Sequence, residues 1–317
     1  MDYAAATPVL PEVREEMEKY FSKEFYNPNA IYAEGKKVRK EVDEYRTKIA
    51  RILGVAKESI IFTSGGTEAN VLAVRGVGVG EIITDGEVHP SVTEAIKGRT
   101  LDTDSQSPTL VSSIATDNKL GRKIREERKK NNSPYPLLHI DASQSANYFD
   151  IGLEKLACDL ITLDAAKIYG PKGCGALVVK KGVKLDLPPF GTPPVPLIAG
   201  FSKALEIAVR DREVERNRLL SLSEHFAYSI QASLPGAEVS VIEPNIVNVS
   251  IPRILPELLV LALDRAGVMV SAGPACNSNK PEPPETPVRI SLGRFTTEKE
   301  VNDAVKIFCF EAQNLLK

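Results

Sequence analysis

Three short stretches carry residue types that could do chemistry together. In "ITLDAAKIYGPKG", Lys167 follows an apolar run and precedes a Gly-Pro turn, which is not the setting of an ordinary solvated lysine. An amine desolvated there beside other cations would lose proton affinity and become nucleophilic toward a carbonyl. In "LLHIDASQS", Asp141 closes a second apolar run, with Gln144 shortly after it. A buried carboxylate needs a cation or donors, so Asp141 either caps the segment that follows or pairs with a protonated ring nitrogen of a cofactor. In "TSGGTEAN", Ser64, Gly65, Gly66 and Thr67 stand where a strand gives way to a helix. Free backbone N–H groups and a hydroxyl can face an anion such as phosphate there, plain turn chemistry being the alternative. An anion cradle, a buried carboxylate and a strand-end lysine together describe a pyridoxal phosphate site.

The elements that must position these residues follow from the same runs. "SIIFT", "EIIT", "TLVSSIA", "LLHIDA" and "LITLDAAK" are short and β-rich, end in small or polar residues, and are followed by helical patterns. Strands alternating with helices, several of them apolar on both faces, predict an α/β fold with a mainly parallel sheet covered by helices. Ligands of such sheets sit beyond the carboxyl ends of the strands, where each polar cluster falls. After "FGTPPVPLIAG" the pattern becomes a long charged helix, roughly 201–233. Two strands within "LPGAEVSVIEPNIVNVSIPR", a helix "LPELLVLALDRAG" closed by Gly267 and a strand "VRISLGR" complete an α+β region. The expected division is a large domain over 13–204 and a smaller one over 205–317, with 1–12 packing on the latter. "KPEPPETP" reads as a loop.

At 317 residues the chain exceeds what one core usually organises. With 43% hydrophobic and 26% charged residues it has the composition of a soluble globular protein. A net charge of -2 gives no electrostatic reason to expect nucleic acid or an anionic membrane as partner. The longest basic run, Arg122 to Lys130, is broken by Glu126 and Glu127 and reads as a solvated helix face. No stretch approaches the roughly 20 apolar residues of a spanning helix, and "MDYAAATPVLPEV" lacks a leader's basic and apolar segments. The expectation is a cytoplasmic protein. Cys158, Cys174, Cys276 and Cys309 have neither metal-ligand spacing nor the density of a disulfide scaffold, so a working thiol among them is the open possibility.

The motifs "YNPNAIYAEGKKVR", "TSGGTEAN", "VHPSV", "HIDASQS", "AAKIYGPKG", "GTPPVPLIAG", "NIVNVSIP", "GVMVSAGPACNSN" and "VRISLGRFTTEKEV", in this order, cover nearly the whole chain. In this it resembles the cysteine desulfurases, class V aminotransferase-like enzymes of pyridoxal-phosphate fold type I. The resemblance implies pyridoxal 5'-phosphate bonded to Lys167, Asp141 on the pyridinium nitrogen, Gln144 on the ring hydroxyl, and Gly66 and Thr67 on the phosphate. His89 would stack on the ring and transfer protons, and Asn118 would lie near the substrate carboxylate and ring oxygen. Arg289 would clamp that carboxylate, a task suited to its planar fork. Thr192 would reach the phosphate of a neighbouring subunit in a homodimer, and Cys276 would take sulfur from L-cysteine as a persulfide, releasing L-alanine to the solution and sulfur to an acceptor protein. Iron-sulfur cluster assembly and tRNA thiolation are both open as destinations. A selenocysteine lyase, another class V aminotransferase or β-lyase, and a non-catalytic relative acting as scaffold are the alternative readings.

The chain departs from the family's pattern at several places. Asp164 and Ala166 replace a serine and a histidine that donate to the phosphate, so Asp164 must turn away, be protonated or share a cation. Lys119 replaces a glutamate and Tyr32 a histidine; a Gly-rich segment with a further arginine is missing before "GTPP", and the stretch from Cys276 to Arg289 is short.

Overall fold

A computed structural model describes residues 1–78, 80–97, 108–114, 116–189, 191–273 and 287–317. They form two compact units, one of Pro8–Arg210 and one of Met1–Thr7 with Asp211–Lys317. The larger unit opens with α1 (Pro11–Ser22) and α2 (Ala33–Leu53). A proline starts α1, where its fixed φ and missing N–H cost nothing, and Gly54 closes α2 at φ 68°, a left-handed value that suits glycine. Strands and helices then alternate as β1 (Ile60–Thr63), α3 (Gly66–Gly76), β2 (Glu81–Asp85), α4 (Pro90–Lys97), β3 (Pro108–Ser113), α5 (Lys119–Asn131), β4 (Leu137–Asp141), α6 (Leu153–Leu156), β5 (Leu160–Asp164) and β6 (Gly175–Val179).

The six strands form one sheet in the order β1-β6-β5-β4-β3-β2. β2, β3, β4 and β5 pair in parallel, as the alternating pattern predicts. β6 runs antiparallel to both β5 and β1. Only a short turn through Pro171 and Gly173 joins β5 to β6, too little chain for the crossover that a parallel pair needs. β1 to β5 therefore all point the same way, and their carboxyl ends share one edge of the sheet.

Burial holds that edge in place. The first four residues of β4 and of β5 are fully buried and the last, Asp141 and Asp164, half-buried. α3 and α4 cover one face, laying Ala69, Leu72, Ala73, Val92 and Ala95 against Leu110, Leu160 and Leu177. Asp159, 2% exposed, ties the start of β4 to β5: it accepts the Leu138 N–H at 2.9 Å, takes the Arg128 guanidinium, and lies 3.6 Å from Lys180 Nζ. A buried carboxylate so supplied with donors is a rigid joint between neighbouring strands. Arg128 thus leaves the solvated face expected of the basic run on α5.

The long helix α7 (Val195–Ser233) starts before residue 201, because the prolines of "TPPVP" lie ahead of or within its first turn, where they are tolerated, and the Pro194 carbonyl accepts from Leu197 and Ile198. In the smaller unit β7 (Glu238–Glu243), β8 (Ile246–Ser250), α8 (Pro256–Arg265), β9 (Ser271–Ala272), β10 (Val288–Ser291) and α9 (Glu298–Leu315) follow. The four strands make an antiparallel sheet, β7-β8-β10-β9. Thr297 and Glu300 form a reciprocal cap at the start of α9, and Phe226 meets Phe308 edge to face at 6.0 Å. No helix among the described residues is long and apolar enough to cross a membrane.

Candidate active site

Asp141 ends β4 with its carboxylate already held on two sides. Oδ2 accepts from Asn70 Nδ2 at 2.8 Å, and Oδ1 accepts from the Ser143 N–H at 3.1 Å, the turn that the Asp-Ala-Ser sequence makes. Asn70, 1% exposed on α3, donates a second bond to Ser91 Oγ at 3.0 Å. Ser91 in turn lies 2.7 Å from His89 Nδ1 through Oγ and donates its N–H to the same nitrogen at 3.1 Å. Since a backbone N–H can only donate, the network assigns Nδ1 of the neutral ring as acceptor and puts its proton on Nε2. Burial pushes the His89 pKa below its ordinary value; the Asp141 carboxylate opposes this, Lys167 adds to it, and Asp164 opposes it. His89 thus feels the charges of Asp141, Lys167 and Asp164. Behind β4, His139 is fully enclosed between Ser112 Oγ and Thr162 Oγ1, each at 2.9 Å. Burial drives its pKa down to about 4, so it is a neutral spacer under Asp141.

Lys167 closes the 3-10 turn Ala165–Lys167 directly after β5. Asn147 Nδ2 donates to its carbonyl at 2.8 Å, which fixes the backbone from which the half-buried amine projects. The turn begins on Asp164, whose Oδ1 accepts the Ala166 N–H at 2.9 Å. Asp164 Oδ2 accepts the N–H of Gly66 at 3.1 Å, the first residue of α3. The carboxylate does not turn away from the amino end of α3: it stays there on two backbone donors, one from the helix and one from the turn. Gly65, at φ 149°, is in a conformation that favours glycine, and a Cβ on Gly66 would come within 3.0 Å of Ser143 Oγ and 3.3 Å of Asp164 Oδ2.

The other residues singled out from the sequence are spread more widely. Thr67 is exposed on the first turn of α3, Asn118 is half-buried ahead of α5, and Gln144 is half-buried in the turn after β4. Thr192 is exposed and lines a cleft with Tyr20, Tyr26 and Pro28. Arg289 belongs to β10 in the smaller unit, where its Nη2 lies 3.4 Å from Asp2 Oδ1 and its Nε is buried without a hydrogen-bond partner. Cys276 lies outside the described residues. Of the remaining thiols, burial raises Cys158 and Cys174 to about 12 each, and the same cause raises Cys309. Asn70, Ser91 and Ser143 are site residues the sequence reading did not single out. The one signal was a polar side chain, Asn70, beside the apolar positions of a helix that must cover the sheet.

The residues fit pyridoxal 5'-phosphate well at one end. Asp141 is held by two neutral donors, Asn70 Nδ2 and the Ser143 N–H, which suits an acceptor for a protonated ring nitrogen. Ser143 Oγ and Asn70 Oδ1 are buried polar atoms without partners beside it. At the phosphate end the fit is different in kind, since the Gly66 N–H already serves Asp164. Among the described residues no cluster of His, Cys, Asp and Glu is suited to a metal ion.

Known proteins resemble the chain along its length. The aminotransferase class-V family model matches residues 1–97, 105–191 and 190–303. The protein named cysteine desulfurase IscS of Dictyoglomus turgidum is 30% identical, over 95% of this chain and 91% of its own. Its namesake of Rickettsia akari is 31% identical over 100% of this chain and 92% of its own. The solved structure of a NifS-like protein superposes with a TM-score of 0.86 at 26% identity, covering 99% of this chain and 98% of that one.

Proposed function

We propose that this chain, which belongs to the aminotransferase class-V family, is a pyridoxal 5'-phosphate-dependent cysteine desulfurase converting L-cysteine to L-alanine. The observation that carries the reading is that Asp141 and Lys167 stand at the carboxyl ends of two paired strands, with Asp141 linked through Asn70 and Ser91 to His89. Its near full-length likeness to proteins named cysteine desulfurase selects this reaction among those of the family.

When bound, the cofactor supplies an electron sink for the charge left on an amino acid's Cα after proton loss. Lys167 is the residue that holds it covalently and the base that removes and returns the Cα proton. Asp141 balances a ring proton without losing its own alignment, because Asn70 and Ser143 fix both carboxylate oxygens. His89 presents Nε2–H beside them as a proton donor, with Nδ1 tied to Ser91. Gln144 takes the ring hydroxyl, Thr67 the phosphate together with Gly66 where Asp164 releases its N–H, and Asn118 and Arg289 the substrate carboxylate. Thr192 is exposed, as a residue reaching a second subunit's site must be, which supports a homodimer. We place the chain in the cytoplasm on the family resemblance.

The sulfur step falls to Cys276 on the family resemblance, Cys158 and Cys174 being held protonated by burial. Its thiolate forms an S–S bond as the substrate C–S bond breaks, and the carbon left behind gains a proton to become alanine. The persulfide then goes to an acceptor protein. Incubating the purified chain with L-cysteine and a thiol reductant should give sulfide and alanine in equal amounts, and Cys276→Ala should stop both. Normal turnover by that variant would remove Cys276 from the reaction.

A further inference from the structure

The amino end of α3 holds two anions of the chain's own. The Gly66 N–H, which would otherwise be free for a phosphate oxygen, donates to Asp164 Oδ2 at 3.1 Å. Two residues earlier, the Ser64 N–H donates to Glu68 Oε2 at 2.5 Å. Asp164 is anchored in this position by its other oxygen, which accepts from Ala166, and its Oδ2 lies 3.6 Å from where a Cβ would stand on Gly65 and 3.3 Å from one on Gly66. Next to it Ser143, 8% exposed, turns an unpartnered Oγ to within 3.0 Å of the same Gly66 position. The place therefore has a helix end, an unused buried hydroxyl and close backbone approach, all features that suit an anionic group. It also has a carboxylate already in it.

Resting on the cofactor reading above, we infer that Asp164 is a resident anion at the phosphate position of α3 and is the residue that sets this chain's selectivity between phosphorylated and unphosphorylated pyridoxal. An incoming phosphate either displaces Asp164 from Gly66 or stands beside its charge; both lower its affinity. A neutral hydroxymethyl group meets neither cost. The aldehyde end, served by Lys167 and Asp141, is common to both compounds, so the phosphate contributes far less to binding than a vacant helix end would allow.

The test uses the full chain, free of cofactor, with absorbance titrations by pyridoxal and by pyridoxal 5'-phosphate. For the unsubstituted protein the two dissociation constants should lie within about tenfold of one another. Asp164→Asn, which keeps the shape and removes the charge, should tighten pyridoxal 5'-phosphate at least ~10-fold and leave pyridoxal within ~3-fold. Asp164→Ser serves as the second variant, with circular dichroism confirming that each is folded. Inorganic phosphate gives a readout independent of aldehyde chemistry: tens of millimolar should raise the melting temperature of Asp164→Asn by ~2 °C and leave the unsubstituted protein unchanged. A preference for the phosphorylated compound above ~1,000-fold in the unsubstituted protein, or variants that bind it no more tightly, would overturn the inference. If phosphate stabilises the variant but borohydride fixes neither aldehyde on Lys167, the resident anion stands and the cofactor reading falls.

Discussion

Replacing Asn70 by alanine should loosen the site from behind without touching any reacting group. Asn70 Nδ2 gives Asp141 Oδ2 a bond of 2.8 Å and Ser91 Oγ one of 3.0 Å, all in an enclosed setting. A bond to a carboxylate contributes about 1.5–3 kcal/mol and one between neutral groups about 0.5–1.5 kcal/mol. Set against this, the alanine also removes Oδ1, a buried acceptor without a partner, which returns about 1–2 kcal/mol. The net loss is ~2 kcal/mol, or about 5 °C in melting temperature for a unit of this size. Asn70→Asp should be worse: a second carboxylate against Asp141 adds several kcal/mol of repulsion even at an effective dielectric of about 20. Urea unfolding followed by far-ultraviolet dichroism measures both, and titration with pyridoxal 5'-phosphate reports whether the freed Asp141 still holds the ring. A loss below about 0.5 kcal/mol for the alanine variant, or an aspartate variant no less stable than it, would refute the claim that Asn70 is what fixes Asp141.

Other consequences can be checked by the same unfolding experiments. Arg128→Met leaves the enclosed carboxylate of Asp159 to Lys180 at 3.6 Å and to a backbone donor, and should cost about 3 kcal/mol in urea unfolding. Burial pushes the Glu243 carboxyl up to about 7, so the folded chain binds a proton there that the unfolded chain has released above its ordinary value of 4.5. Glu243→Gln should therefore leave stability unchanged near pH 4 and raise it increasingly toward pH 7, the gain being complete above that; a gain confined to acid pH would contradict the burial argument. His139 has the opposite sign: between about 4 and 6.5 the unfolded chain takes a proton the folded one refuses, so stability rises with pH across that window by up to about 1.4 kcal/mol per unit. In the Glu243→Gln background this slope should stand out more steeply than in the unsubstituted protein.

Much of this arrangement was legible in the sequence because strands of a covered parallel sheet are apolar on both faces and stop at polar residues. "LLHID" and "LITLD" announce β4 and β5, and with them the positions of Asp141 and Lys167. β6 was less visible, since "GALVV" follows the lysine motif after a turn too short to suggest a strand. The supports of the site were not legible either. Asn70 is separated from Asp141 by 71 positions, and Asp164 from the Gly66 N–H by 98, so neither pairing exists until the order β1-β6-β5-β4 brings α3, which follows β1, to the ends of β4 and β5. His139 reads as a break in an apolar run, and only the flanking hydroxyls of Ser112 and Thr162, on the strands to either side, make its burial affordable. Thiol chemistry followed burial: Cys158 and Cys174 sit in sequence like any small residue, and the enclosed sheet is what keeps them protonated.

Lys167, at the end of the strand next to the one that Asp141 closes, is the amine proposed to hold the aldehyde. Treating the chain with pyridoxal 5'-phosphate, reducing it with borohydride and sequencing its peptides by mass spectrometry tests this directly. One pyridoxyl group per chain on Lys167, lost in Lys167→Ala and weakened in Asp141→Ala, is the predicted result. A label scattered over surface lysines, or retained in full by Lys167→Ala, would contradict it.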